Sequence, residues 1–406
     1  MPLTIRHLGR LLAAALIASC AIAVNAAAAE PPLDPATLRL IPNRMQEFVD
    51  RGEISGVVTL VARNGQIAAL DAAGFADIEN RKPMRTDTIV QIMSQTKTVT
   101  GVAAMILVDE GKLDLTRPVQ DYLPEFRGMQ VSESRPDGSV SVHSPRHPPT
   151  VWQLMNHSAG FAFLPASGEF ARINFTLDHT LAEAVRAYAG EKLISEPGTK
   201  YAYSNMGVAT VGRIVEVLSG QKYEDFVQSR ILTPLGMKDS FYFPPEDKKS
   251  RIAMIYMPDR DKKLTLAGEK AQGGDPAKYR SGAKYPGPEL GLFSTASDLY
   301  RFYQMLANRG TYGGKRILSP QAVETMVQDY TPDHSGYGLT MTVAGGTAQQ
   351  LNLVNLGTFG HGGAFGTSGT IDPKNGLVIV FLPQMMGGPT KLALDIFTQL
   401  AEAAVR

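Results

Sequence analysis

Ser94-Gln95-Thr96-Lys97, Tyr203-Ser204-Asn205 and His361-Gly362-Gly363 follow one another along the chain in an order that could assemble an acyl-transfer site. A serine hydroxyl is a weak nucleophile, so an enzyme that uses one must supply a base within hydrogen-bond reach and donors for the oxyanion. Ser94 stands just before a run in which Val99, Val102, Met105, Ile106 and Leu107 recur near helical period until Gly111. That places it at a helix start, where first-turn N–H groups and the helix dipole favour negative charge developing beside the hydroxyl. Lys97, three residues on, falls on the same helix face. Taken alone, the pair equally fits an N-capping serine with a solvated lysine one turn later.

Tyr203 follows the turn signal Glu196-Pro197-Gly198 and precedes a helical pattern through Val208, Val211, Ile214 and Val215 to Gly220. A free phenol titrates at about 10, too high for a base at neutral pH, but a nearby lysine cation stabilises the phenolate. Tyr203 is therefore expected to take the Ser94 proton, assisted by Lys97. Asn205 fits a helix cap as well as a group on the substrate side, and Ser204 fits a turn.

The glycine-rich residues 358–370 precede a strand pattern at 377–382, beyond the turn Asn375-Gly376, and read as a hairpin or edge strand near the site. Glycines there let a ligand or another backbone approach closely. The main-chain N–H of Ala364 is expected to join that of Ser94 as an oxyanion hole, with His361, Gly362 and Gly363 lining the substrate side. The remaining histidines suggest no chemistry. His7 belongs to the leader, His157 reads as buried and structural, and His179 precedes a helix beginning near Thr180. His143 and His147 lie in a proline-containing loop without the helical H-E-x-x-H arrangement, so no metal site is expected.

Together the three motifs resemble those of the serine beta-lactamase superfamily, in the class C and esterase branch that also includes penicillin-recognising D,D-peptidases. Residues 154–160 are similar to that family's LLTHTSG segment, Pro234-Leu235-Gly236-Met237 to its PLGM turn, and residues 291–298 to its GGLFSTASDL loop and helix. The resemblance runs from about residue 36 to the C-terminus. It implies an α+β, beta-lactamase/transpeptidase-like fold, with an antiparallel sheet flanked by helices, an inserted, mostly helical lobe and a groove between them. It also implies Ser94 as nucleophile, Lys97 as its partner and Tyr203 as general base, without a unique choice of which of the last two removes the proton.

The third motif departs from the pattern of penicillin-recognising enzymes. They commonly carry Lys-Thr-Gly, a cation and a hydroxyl suited to a carboxylate; the aligned residues here are His361, Gly362 and Gly363. Esterases of the superfamily often show such a replacement. The expected function is hydrolysis of carboxylic esters through an acyl-Ser94 intermediate, without a cofactor. The alternatives are a beta-lactamase or D,D-peptidase acting on lactam or D-Ala-D-Ala amides, and a non-catalytic protein that binds cell-wall fragments. A nucleophile-elbow hydrolase is disfavoured, because Gly366-Thr367-Ser368-Gly369 ends in Thr370 and no other serine completes G-x-S-x-G.

The elements needed to hold these residues can be read around them. Residues 56–63 and 66–74 flank Asn64-Gly65 as a hairpin, and helical patterns begin near Ala103, Thr180 and Asn205. Leu392, Leu394, Ile396, Phe397 and Leu400 give the last helix an apolar stripe. Residues 131–150 and 244–288 read as polar loops or insertions. Pocket walls are expected from residues 161–175, from 244–288 and from Phe365, and their aromatic and small residues fit an apolar acyl or aryl group.

With 406 residues and 44% hydrophobic content the chain can bury a sizeable core. Arg6 and Arg10 before the apolar residues 11–24, and the small residues of Val24-Asn25-Ala26, read as an export leader over residues 1–26, which implies a periplasmic or secreted protein. Ile17-Ala18-Ser19-Cys20 also resembles a lipobox, so a membrane surface enters only if Cys20 is lipidated. Removing the leader leaves 38 of the 40 basic residues against 39 acidic ones, a balance that points to no nucleic-acid partner. A small-molecule ester or lactam is the expected ligand.

Overall fold

The computed structural model describes residues 33–134, 137–165, 177–268, 282–345 and 354–406. The leader expected over residues 1–26 lies outside the described residues, as do 166–176 and 269–281 of the expected pocket walls. Among the described residues no helix is long and apolar enough to cross a membrane.

A short helical turn, Pro35–Leu38, leads into helix α1 (Leu40–Asp50), followed by strands β1 (Gly56–Arg63), β2 (Gln66–Asp77) and β3 (Lys82–Pro83). Four strands from the far end complete the sheet: β4 (Thr342–Val343), β5 (Phe359–Gly362), β6 (Ser368–Asp372) and β7 (Leu377–Pro383). The order is β4-β5-β6-β7-β1-β2-β3, with antiparallel neighbours throughout. The two ends of the sequence thus meet in the centre, where Val57 pairs with Pro383 and Arg63 with Leu377.

Because side chains alternate along a strand, β1 and β7 serve two cores. Val57, Val61, Ile379 and Phe381 pack with Ile41, Met45 and Phe48 of α1 and with the last helix, α7 (Thr390–Ala403). Val58, Leu60, Ala62, Val378, Val380 and Leu382 face the larger core on the other side. This explains why both strands are almost unbroken apolar runs. The stripe expected on α7 is rotated: Ala393, Phe397 and Ala401 are its buried residues, whereas Leu392 is 53% exposed. Alanine on the sheet-facing side lets the helix lie close to the strands, a fit that a preference for large side chains does not reveal.

The inserted lobe consists mainly of helices. They include α2 (Thr96–Asp109), α3 (Val151–Met155), α4 (Leu181–Tyr188) and α5 (Asn205–Ser219), while α6 (Ala296–Ala307) packs on the sheet. Thr180 and Glu183 form a capping box at the start of α4, and the left-handed Gly220 closes α5. Residues 131–150, expected as loop, contain a hairpin of Val131–Ser134 with Val140–His143, and 244–288 contain another of Tyr256–Pro258 with Leu264–Leu266. Strands this short are outweighed in the sequence by the surrounding turn residues.

Candidate active site

Ser94 does not begin α2 itself. It lies in the 3-10 turn Met93–Gln95 that leads into the helix, one residue before the N-cap Gln95. Met93 holds a left-handed φ of 53°, a conformation that costs a non-glycine residue about 1–3 kcal/mol and persists only where surrounding packing enforces it. That packing is present: Met93 is fully buried with Phe365, Leu290 and Ile255. Phe365, expected in the pocket wall, instead supports the nucleophile turn from below. Gln95 points into the core, where its Oε1 accepts a hydrogen bond from the buried Tyr303 at 2.9 Å.

The glycine-rich hairpin reaches the same turn. His361 pairs with Gly369 and Gly362 with Ser368, and residues 363–367 close the loop through Gly363 N–H to Thr367 O at 2.7 Å. Thr367 Oγ1 donates to the Ile92 carbonyl at 2.9 Å, tying the loop to the residue before Met93. A Cβ on Gly363 would lie 2.3 Å from that carbonyl oxygen and 2.3 Å from Thr367 Oγ1. The Gly363→Ala variant should therefore force the hairpin away from Ser94. Urea unfolding should show a loss of about 1–3 kcal/mol, typical of overpacking, with at least a tenfold fall in turnover; wild-type values for both would contradict the close approach. Ala364, exposed at the tip, has an N–H that no acceptor takes among the described residues.

Lys97 is wholly buried. Its Nζ lies 3.0 Å from Ser94 Oγ, 2.8 Å from Asn205 Oδ1 and 2.8 Å from the main-chain oxygen of Glu289. Burial pushes its pKa below the usual lysine range, while the Glu289 charge works in the opposite direction. A neutral amine fits this cage: two N–H groups satisfy the two carbonyl acceptors and the lone pair faces the serine hydroxyl. Asn205 thus turns its carbonyl oxygen to the lysine. The neighbouring Ser204 caps α5 by accepting from Gly207 N–H at 3.1 Å.

Tyr203 differs from the expectation that Lys97 would lower its pKa. Burial pushes the phenol well above its ordinary value, opposed by its hydrogen-bonding contact with Ser94, and the Glu289 charge adds to the rise. The Lys97 Nζ sits 4.8 Å from the centre of the Tyr203 ring, over its face. At neutral pH Tyr203 is a proton donor beside the nucleophile.

His361 is buried, with its ring 6.2 Å from that of Tyr203. Its Nδ1 faces the Gly362 carbonyl and must carry the ring proton, which leaves Nε2 to accept from the Tyr337 hydroxyl at 2.9 Å. Burial pushes its pKa down to about 3. His361 is consequently neutral and fully engaged. His157, with a left-handed φ of 62°, accepts from Ser204 N–H through Nδ1 and packs its ring 4.4 Å from that of Tyr203. Both histidines and Tyr337 form an aromatic wall behind the phenol.

Sequence reasoning missed Glu289, which is fully buried and whose charge acts on Lys97. The available signal was an acid between Pro288 and Leu290, shortly before the strand Phe293–Ser294, where a solvated charge has no place. Among the described residues no cluster of three or more His, Cys, Asp or Glu side chains could hold a metal ion.

The family model described as Beta-lactamase matches residues 41–403. Protein Rv1367c of Mycobacterium tuberculosis is 32% identical over 360 residues, covering 84% of this chain and 88% of that protein. Esterase EstB of Burkholderia gladioli is 28% identical over 369 residues, covering 84% and 89%. Among solved structures, EstCE1, described as a hydrolase with promiscuous acyltransferase activity, matches with a TM-score of 0.76 at 24% identity over 89% of this chain and 98% of that one. This last likeness establishes the fold.

Proposed function

The chain belongs to the beta-lactamase family and is a serine hydrolase of that fold, and we propose that it cleaves neutral carboxylic esters through an acyl intermediate on Ser94. The Lys97 lone pair takes the Ser94 proton as Oγ bonds to the ester carbonyl carbon, and the carbonyl π electrons move to oxygen. The N–H groups of Ser94 and Ala364 are the donors assigned to that oxyanion. Collapse breaks the bond to the alkoxy group, which leaves with a proton donated by Tyr203; the Lys97 ammonium returns a proton to Tyr203. Water then repeats the sequence on the acyl-enzyme, releasing the acid and free Ser94.

The observation that carries the substrate class is the state of His361. A carboxylate-bearing lactam or peptide is best held by a cation in the third motif. Here that position is a neutral, buried imidazole with both nitrogens already engaged, followed by two glycines. Lys97, behind the nucleophile, is fully enclosed. The name of EstB, an esterase 28% identical and matched over 89% of its length, agrees with this reading.

A paired assay tests it. Purified protein given a short-chain nitrophenyl ester and a chromogenic cephalosporin should hydrolyse the ester at least about a hundredfold more efficiently, the scale of two lost charge-assisted hydrogen bonds. Rapid cephalosporin turnover with negligible ester hydrolysis would reverse the assignment. Turnover of neither would favour a binding protein.

A further inference from the structure

Tyr285 donates its hydroxyl to both carboxylate oxygens of Glu289, each at 3.0 Å, inside a fully buried cluster. The titratable groups that act on this carboxyl are Lys97, Tyr188, Tyr203, Tyr223 and Tyr285. Lys97 is the one group among them that can carry positive charge. The same residue therefore serves Lys97 twice. Its main-chain oxygen fixes Nζ at 2.8 Å, and its fully buried carboxyl acts on the lysine through its charge.

We propose that Glu289 is a positioning residue that sets the basicity of Lys97, its buried carboxylate stabilising the ammonium formed when Lys97 takes the Ser94 proton. The proposal rests on the acyl-Ser94 reading above. Burial disfavours charge on each group, and each charge offsets part of that penalty for the other. A carboxylate held by a hydrogen bond from Tyr285 is preorganised for this task, because no solvent need rearrange when the proton moves. The four surrounding phenols are all raised by burial, so they stay neutral, and Lys97 and Glu289, whose own carboxyl burial also raises, are left as the pair whose charges answer to each other.

The Glu289→Gln variant keeps the shape and removes the charge. Lys97 should then hold a proton less tightly, which makes it neutral at lower pH and also a weaker base. The readout is the pH profile of inactivation by a nitrophenyl alkylphosphonate, which reports Ser94 nucleophilicity without the natural substrate. The acid limb should move down by about one pH unit and the plateau should fall about tenfold. Tyr285→Phe, which removes the donor to the carboxylate together with the contact to Tyr188, should move the limb the same way by less. A limb coincident with that of the unaltered protein, even with a slower plateau, would mean that Glu289 is merely structural and would overturn the proposal. If circular dichroism shows that Glu289→Gln does not fold, the Tyr285→Phe limb decides: displacement supports the proposal and coincidence overturns it. Absence of labelling in the unaltered protein would overturn the hydrolase reading and this proposal together, whereas labelling with a coincident limb overturns this one alone.

Discussion

Ser94→Ala should reduce kcat/KM toward a short-chain nitrophenyl ester by about four orders of magnitude or more, the loss expected when a nucleophile that forms a covalent intermediate is removed. The residual rate should approach that of the buffer. The fold should survive, because the turn that presents Ser94 is held by Met93, Gln95 and Thr367 and not by the Ser94 hydroxyl. A melting temperature within a few degrees of wild type, together with lost turnover, would separate chemistry from stability. Retained activity would mean that another group attacks the ester.

The second large effect distinguishes the two candidate bases. Lys97→Met is close in volume and leaves Asn205 Oδ1 and the Glu289 oxygen without their donor. It should cost about a thousandfold in kcat/KM, within the range for loss of a general base, and by the same factor for nitrophenyl and alkyl esters. Tyr203→Phe should behave differently. If the phenol protonates the leaving group, a nitrophenolate, which leaves without help, should be spared relative to an alkoxide. The loss with an alkyl ester should exceed the loss with the nitrophenyl ester by at least about tenfold. Equal losses on both substrates in the tyrosine variant would return Tyr203 to the role of general base.

That role was the natural expectation from sequence, where Tyr203 and Lys97 signal proximity but not depth. A cation near a phenol lowers its pKa and burial raises it; here burial dominates. The same blindness to depth hid Glu289, Tyr285 and Tyr337, whose significance comes from the partners that the fold brings to them. His361 shows the limit from another side. Its place in the third motif was legible, but its neutrality comes from burial, and its ring is oriented by Tyr337, 24 residues away, and by the turn carbonyl of Gly362.

What sequence did reveal was local and repetitive. The β1–β2 hairpin was plain because eight apolar-rich residues meet Asn64-Gly65 and a second alternating run. Helices α2 and α5 were legible from their period and glycine ends, although α2 begins at Thr96, two residues beyond Ser94. The two-residue strands β3 and β4 have too few side chains to leave a periodic trace, and they exist only as partners of longer strands. The resemblance implied an antiparallel sheet with an inserted lobe, but no pattern within either strand shows that β1 meets β7 in mid-sheet, more than 300 residues apart.

The most direct test of the acyl-Ser94 mechanism is intact-protein mass spectrometry of enzyme quenched in acid during turnover of a short-chain nitrophenyl ester, followed by peptide mapping. The prediction is a covalent adduct with the mass of the acyl group, on the peptide containing Ser94 and absent from Ser94→Ala. Turnover at the wild-type rate with the acyl group on another residue would contradict it.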